Sequence, residues 1–361
     1  MKIFKFPFLS SREVIKIRKG TFVVLLIIAL AAALLSYYLY FSAGKKAIKQ
    51  IPVSCQPSWH HTAIYLIKEK GWDVKILGVN ITLTVFPSGP PQMEAFGAGQ
   101  HVIAYVGATP PLPLLAKGMD AKIVAVANTE GSSIIAVPEF QYTGPSSLEG
   151  KTIMTYPPGS IQYTVLMKWL TDNGVNVSKV NVKSGGPAEI LEALRAKAVD
   201  LGFAPDPTPY NAVVNGYGKI VISSKDMVPG HPCCVVLMRG DFIRENKEVA
   251  VKFLALHIIA EEYISDPRNK EEVVSLLVKY LGISREVAEN FPGTTNFQTD
   301  PRNKNWLNGM DLLCDELYKL GITKDSNGNP VRLAPKDIVD SALYGEALKL
   351  VPQIKKELGL P

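Results

Sequence analysis

The chain has 361 residues, 47% of them hydrophobic and 20% charged, which excludes a disordered polymer and supplies apolar material for two cores. The formal charge of +6 is concentrated at one end: the first 50 residues hold nine Lys and Arg against one Glu, and the remainder holds 30 basic and 32 acidic side chains. A slightly acidic body argues against a basic face for nucleic acid.

In chain order, residues 1–20 form a basic segment predicted to lie in the cytoplasm. Residues 21–41, "TFVVLLIIALAAALLSYYLYF", carry no charge. At about 1.5 Å per residue, a helix of that length reaches roughly the 30 Å of a bilayer core. It predicts a transmembrane anchor in preference to a removed signal peptide, although "FSAG" offers small residues for cleavage. Six Lys or Arg precede it and Lys45, Lys46 and Lys49 follow, a bias that places the bulk of the chain outside. Residues 42–52 read as a tether.

Beyond the tether, strand-length apolar runs alternate with segments of helical period. "HTAIYLIKEKG" predicts a helix ended by Gly71, "ITLTVF" a strand, "PPQMEAFGAG" a helix, and "HVIAYVG" and "KIVAVAN" strands. The alternation continues through "KTIMTY", "SIQYTVLMKWLTDNG", "KVNVKS", "PAEILEALRAKAVD", "LGFA", "PTPYNAVVNG" and "KIVISS". It predicts an α/β protein with mainly parallel sheets. After residue 240 the pattern is mostly amphipathic helix. Pro and Gly cluster at "PEFQYTGP" (138–145) and "PGHP" (229–232). Two such crossings predict a discontinuous first lobe, residues 53–141 and 231–361, and a second lobe of residues 142–230.

Cys55, Cys233, Cys234 and Cys314 are the four cysteines. Cys233 and Cys234 are adjacent, with Cα atoms about 3.8 Å apart, so a bridge between them would be strained. The strand "CCVVLM" reads more simply as one carrying small buried thiols. The sequons at Asn80 and Asn176 arise easily by chance.

Several helix starts carry proline in the first turn: "SGPPQ", "GATPP", "YPPGS", "SGGPAE" and "APDPTP". Proline is tolerated there because the N–H it lacks has no intrahelical acceptor. In a parallel sheet these starts gather at the carboxyl edge of the strands, where open α/β sheets bind ligands, and their free N–H groups suit anionic oxygens. Ser58, Thr62, Thr109, Ser132, Ser133 and Ser160 stand at the same junctions. For any one of them the simpler reading is that it caps its own helix, and the set together carries more than each member.

The segments "SWHHTAIYLIKEKGW", "GPPQMEAFGAGQHVIAYVGATPPLPLLAKG", "SSLEGKTIMTYPPGS", "EILEALRAKAVDLGFAPDP" and "HPCCVVLMRGDFI" resemble, in order and spacing, the solute-binding proteins of nitrate/taurine/sulfonate ABC importers. The likeness runs from about residue 55 to 350. It implies a two-lobed type II periplasmic-binding fold with the ligand between the lobes. By motif position it implicates loops at Ser58–Thr62, Gly107–Pro110, Gly131–Ser133, Tyr156–Ser160 and Ala204–Asp206, and so brings in Gly107, Tyr156 and Gly159. One departure is "GQH", with His101 where the family often has an acidic residue.

Among single candidates, His60 or His61 could donate to an anion, whereas adjacent side chains on a helix diverge and do not suit chelation of one metal by both. Asp206 could hold an amine or a ring N–H, or cap the following helix, and His231 could close over the site or pack in the crossing loop. The candidate loops lack Arg, so the expected solute is a small anion, a zwitterion or a neutral heterocycle. No cofactor or metal set is read from the sequence. The resemblance implies an extracytoplasmic capture protein, a monomer partnered by a permease and its cytoplasmic ATPase. The chain itself lacks G-x-x-x-x-G-K. Two alternatives are an enzyme like the relatives that make the pyrimidine of thiamine, and a sensing ectodomain. The first is opposed by the missing G-x-S-x-G, H-E-x-x-H and C-x-x-C, the second by the roughly 20 residues before the apolar run.

Overall fold

The computed structural model of the chain describes residues 27–33, 36 and 48–361. Residues 1–20 and most of the predicted anchor, 21–41, lie outside the described residues. Residues 27–33 are helical, with Ile27, Ile28 and Leu30 exposed. Among the described residues no helix is long and apolar enough to cross a membrane.

From Lys49 onward the chain forms a separate unit. In order it contains β1 (Gln50–Cys55), α1 (Thr62–Glu69), β2 (Asn80–Val85), α2 (Gly89–Gly97), β3 (Ile103–Gly107), α3 (Leu112–Ala116), β4 (Ala121–Glu130) and β5 (Ser132–Ala136). There follow β6 (Thr152–Thr155), α4 (Ile161–Asp172), β7 (Asn181–Ser184), α5 (Pro187–Arg195), β8 (Leu201–Pro205), α6 (Thr208–Val214), β9 (Lys219–Ser223) and α7 (Ser224–Met227). The last part holds β10 (Pro232–Arg239), α8 (Gly240–Glu245), α9 (Lys247–Ser265), α10 (Lys270–Leu281), α11 (Arg285–Ala288), β11 (Thr295–Phe297), α12 (Lys304–Lys319), α13 (Pro335–Ile338) and α14 (Ser341–Leu358).

Two sheets organise these elements. The first has the order β11-β4-β10-β3-β1-β2, the second β7-β6-β8-β5-β9. The expectation of mainly parallel sheets needs correction, because both are mixed. Strands β1, β2 and β3 pair in parallel, and so do β6, β7 and β8, as expected where helices make the connections. The strands delivered by the crossings run the other way: β10 is antiparallel to β3 and β4, and β5 is antiparallel to β8 and β9.

The lobe boundaries also shift. β5 belongs to the second sheet, so the first crossing falls at Gly131 and not at residues 141–142. Only Glu130 and Gly131, both at positive φ, turn the chain from β4 into β5, and no proline-rich linker marks the turn. The return passes between α7 and β10, through residues 228–231. At the start of the unit, residues 50–52, read as tether, are the first half of β1. Pro52 is accommodated there and its carbonyl accepts from Val102 N–H at 3.1 Å.

The apolar runs become central strands for the usual reason. β3 and β8 are buried along their whole length, with helices packed over their sheets. Trp59, Trp306, Tyr65, Tyr105 and Phe203 are among the bulkiest fully enclosed side chains.

Where α9 packs on the first sheet, a buried polar row joins the two. His257 Nε2–H donates to Val126 O at 2.7 Å, leaving Nδ1 to accept from the Tyr105 hydroxyl at 3.0 Å. Burial pushes His257 down to about 4 and pushes the neighbouring Glu261 carboxyl well above its usual range. A raised carboxyl contributes stability that is fully present below its unfolded pKa of about 4.3, and the contribution is lost progressively as pH rises from there through the folded value. Glu261→Gln removes the titration. The stability of the wild type relative to this variant should fall by about 1.4 kcal/mol between pH 5 and pH 6 in urea melts. Parallel curves for the two proteins would mean that Glu261 is charged in the folded state.

Candidate functional site

Turns from both sheets converge on one cavity. Its wall comprises Gln56, Ser58, His60, His61, Gly89, Gly107 and Pro110 from the first lobe, Tyr156, Ser160, Ile161, Gln162 and Pro205 from the second, and Cys234 of β10. Its water-accessible volume is about 10 Å³. That is room for about one water, so the two lobes are closed on each other.

Local sequence explains each wall segment. After β1, Ser58 caps the short turn Trp59–His61 by accepting from His60 N–H at 3.2 Å. The same hydroxyl donates across the cleft to Asp206 O at 2.7 Å. Pro110 follows β3 and packs into a notch that only glycine leaves open: a Cβ on Gly89 would stand 2.3 Å from Pro110 Cγ, and one on Gly107 would stand 3.3 Å from its Cδ. Opposite, Ser160 caps α4 by accepting from Tyr163 N–H at 3.2 Å, which leaves the first-turn amides of Ile161 and Gln162 at the wall without intrahelical acceptors. The start of α5 stays away from the cavity. There Glu189 accepts from Gly186 N–H and satisfies its own helix.

The histidines are fixed by their partners. Gln56 N–H donates to His61 Nδ1 at 2.9 Å, so a neutral ring carries its proton on Nε2. Burial and then the neighbouring His60 hold His61 down at about 3, and the ring is neutral. Its Nε2–H is buried at the cavity wall without a hydrogen-bond partner among the described residues. His60 Nδ1 lies 3.6 Å from both Cys233 Sγ and Cys234 Sγ, and its Nε2 is unpaired beside Gly131. Burial opposes charge on His60, yet Cys233 and then Asp206 outweigh it and push the imidazole up. Cys233 is drawn well below the ordinary thiol range against its burial, by the Cys234 hydrogen bond and by His60.

Asp206 ties the lobes together. Its Oδ2 accepts from Thr294 N–H at 3.0 Å, the Thr294 hydroxyl at 3.2 Å and the Thr295 hydroxyl at 3.1 Å. Its Oδ1 is buried without a partner among the described residues. Burial raises its carboxyl to about 7 against the opposing pull of His60 and these donors.

Of the residues singled out in the sequence, Ser58, His60, His61, Gly107, Tyr156 and Ser160 stand at the cavity wall. The others lie behind it. The Thr62 hydroxyl donates to Trp59 O within its own turn, and the Thr109 hydroxyl donates to Gly159 O across the cleft at 2.9 Å. Ser132 Oγ accepts from Gln162 Nε2 at 3.2 Å, while the Ser133 hydroxyl is buried and unpaired among the described residues. His231 Nδ1–H donates to Pro232 O at 3.1 Å, and burial pulls its pKa down. Sequence reasoning missed Gln56, Gln162 and Cys234. Gln56 Nε2 donates to Gln92 Oε1 at 2.8 Å, and Gln92 in turn donates to Ser54 Oγ and Tyr105 O, each at 2.9 Å. The available signal was a Gln directly after the first strand and another in the first turn of α4.

A cleft between two mixed α/β lobes, walled by helix starts from both, defines a two-lobed solute-binding protein. The chain belongs to the NMT1-like family, whose model matches residues 45–278. A candidate binding protein of Brucella abortus is 26% identical over 275 residues, which is 75% of this chain and 78% of that one. Among solved structures, the periplasmic nitrate-binding protein NrtA of Synechocystis PCC 6803 has a TM-score of 0.72 at 15% identity, covering 86% of this chain and 91% of its own. The alkanesulfonate-binding protein SsuA of Xanthomonas axonopodis pv. citri, bound to MOPS, has a TM-score of 0.70 at 17% identity, covering 82% and 99%.

Proposed function

We propose that this chain is the extracytoplasmic solute-capturing component of an ABC importer, which holds a small anion such as nitrate or a sulfonate between its lobes and passes it to a permease driven by a cytoplasmic ATPase. One observation carries this reading: first-turn residues of both lobes and the unpaired Nε2–H of His61 face a single enclosed cavity. Buried unpaired donors cost about 1–3 kcal/mol each, and an anion's oxygens would supply the acceptors. The wall has no Lys, Arg, Asp or Glu side chain among the described residues, so recognition rests on amide, hydroxyl and imidazole donors. At about 10 Å³ the cavity admits a solute only after the lobes part, with the crossings at Gly131 and residues 228–231 as hinges.

We extend the proposal to the anchor and to a monomeric state. Residues 21–41 would hold the protein to the outer face of the membrane, in keeping with the uncharged composition and the exposed Ile27, Ile28 and Leu30. Alkaline extraction of membranes should leave the protein in the pellet, and light scattering should give one chain per particle. Release by carbonate would remove the anchor from the proposal.

The capture reading is tested by thermal unfolding of the purified protein with nitrate, alkanesulfonates, amino-sulfonates, bicarbonate and pyrimidines. At 100-fold excess over Kd the cognate solute should stabilise the protein by about 2.7 kcal/mol. Ser160→Trp is too large for the closed cavity and should hold the lobes apart, abolishing the shift while each lobe stays folded. Chemical turnover of any of these compounds would replace the capture reading with an enzymatic one.

A further inference from the structure

Cys233 and Cys234 are neighbours in a strand, where successive side chains point to opposite faces. Here they do not. The pairing of β10 with β4 is irregular at Pro232, Cys234 and Val235, and the bulge turns both sulfurs the same way, 3.9 Å apart. His60, brought in from the turn after β1, places Nδ1 3.6 Å from each. All three side chains are buried, and all three ligand atoms lie within 4.8 Å of one another.

We propose that His60 Nδ1, Cys233 Sγ and Cys234 Sγ form a three-ligand zinc(II) site whose fourth position opens toward the cavity that His60 and Cys234 line. The spacing is the main argument. An ion at about 2.3 Å from two sulfurs and about 2.05 Å from a nitrogen, with tetrahedral angles, separates the sulfurs by about 3.8 Å and each sulfur from the nitrogen by about 3.6 Å. The observed edges are 3.9, 3.6 and 3.6 Å. The ligand chemistry agrees, since two thiolates and an imidazole suit a soft or borderline cation, and a two-Cys, one-His set leaves one position for water or a solute.

Charge balances as well. Binding releases two protons to solvent, one from Cys234 and one that Cys233 and His60 share, and leaves a dication on two thiolates, a neutral cluster that a buried site tolerates. His60 must then be neutral with its proton on Nε2, the atom that lies unpaired beside Gly131. Metal-bound histidines commonly donate through their second nitrogen to a backbone carbonyl or carboxylate. The site does not depend on which solute the protein captures. It does supply a Lewis-acidic centre with an open coordination position at a wall otherwise built from amide, hydroxyl and imidazole donors.

The test uses the full chain in mild detergent, stripped with chelator under reducing conditions and titrated with zinc in the absence of any solute. One zinc per chain is expected. Cobalt(II) should give a thiolate-to-metal absorption band in the near ultraviolet, a readout on the unaltered protein. Cys233→Ser and Cys234→Ser should each weaken zinc binding by at least about 100-fold, more than the loss of an outer-shell partner. Cys314→Ser, also buried but carried on α12, should bind as the wild type does. The proposal is overturned if folded wild type, checked by circular dichroism, takes up no zinc or shows no thiolate band. It is equally overturned if the two serine variants match the wild type, or if mass spectrometry finds Cys233 and Cys234 joined in the protein as isolated from the membrane.

Discussion

Gly131→Ala should destabilise the protein by about 3 kcal/mol in denaturant melts, the sum of two effects. Gly131 has φ +84°, and a side chain in the left-handed region costs about 1–2 kcal/mol. The added Cβ would also stand 2.4 Å from His60 Nε2 and 2.6 Å from Thr295 Oγ1, both in enclosed surroundings, and overpacking of that kind costs about 1–3 kcal/mol. Gly71 isolates the first effect, since it has φ +63° and nothing within 4 Å of its Cβ position. Gly71→Ala should therefore cost only the backbone part, about 1 kcal/mol. Equal losses for the two variants would show that the approach of His60 to the crossing is not tight. On the proposed hinge role of the crossing, Gly131→Ala should slow lobe closure, seen as a reduced solute on-rate.

Asp206→Ala should cost about 3 kcal/mol and shift the protein toward an open form. The carboxylate collects three donors from residues 294–295, on the approach to β11 of the first lobe, while its own backbone N–H donates to Gly131 O at 2.9 Å. Removing the acceptor strands the buried Thr295 hydroxyl and the part-buried amide and hydroxyl of Thr294, at about 1–3 kcal/mol for the group left fully unmet. Asp206→Asn keeps one acceptor oxygen and should lose roughly half as much. Small-angle scattering reads the second consequence, because a larger radius of gyration in Asp206→Ala reports parted lobes. An unchanged radius together with unchanged stability would mean that Ser58 and Thr109 hold the cleft without this residue.

Much of the fold was legible before any coordinates. The alternation of apolar runs with helical periods predicted an α/β protein, and prolines at helix starts predicted where first turns would collect, except at α5, whose start stays away from the cavity. Pro110 shows the limit of that reading. Its role in the wall depends on notches at Gly89 and Gly107, from two other elements, and no local pattern announces them. β1 was overlooked because Lys49 and Pro52 disguise a strand that parallel neighbours flank on both sides. β5 was overlooked because Glu130 and Gly131 turn the chain without any linker composition to mark the turn.

By itself the sequence determined the class of fold, the strand and helix runs, and the polar junctions from which a cleft would be built. These follow from periodicity and turn chemistry, which act over a few neighbouring residues. Tertiary structure alone decided that the crossing strands run antiparallel, that Asp206 meets Thr294 and Thr295, and that His60 meets two sulfurs 173 and 174 positions away. Contacts at that separation depend on how two sheets close against each other. Pairings of that kind leave no periodic mark along the chain.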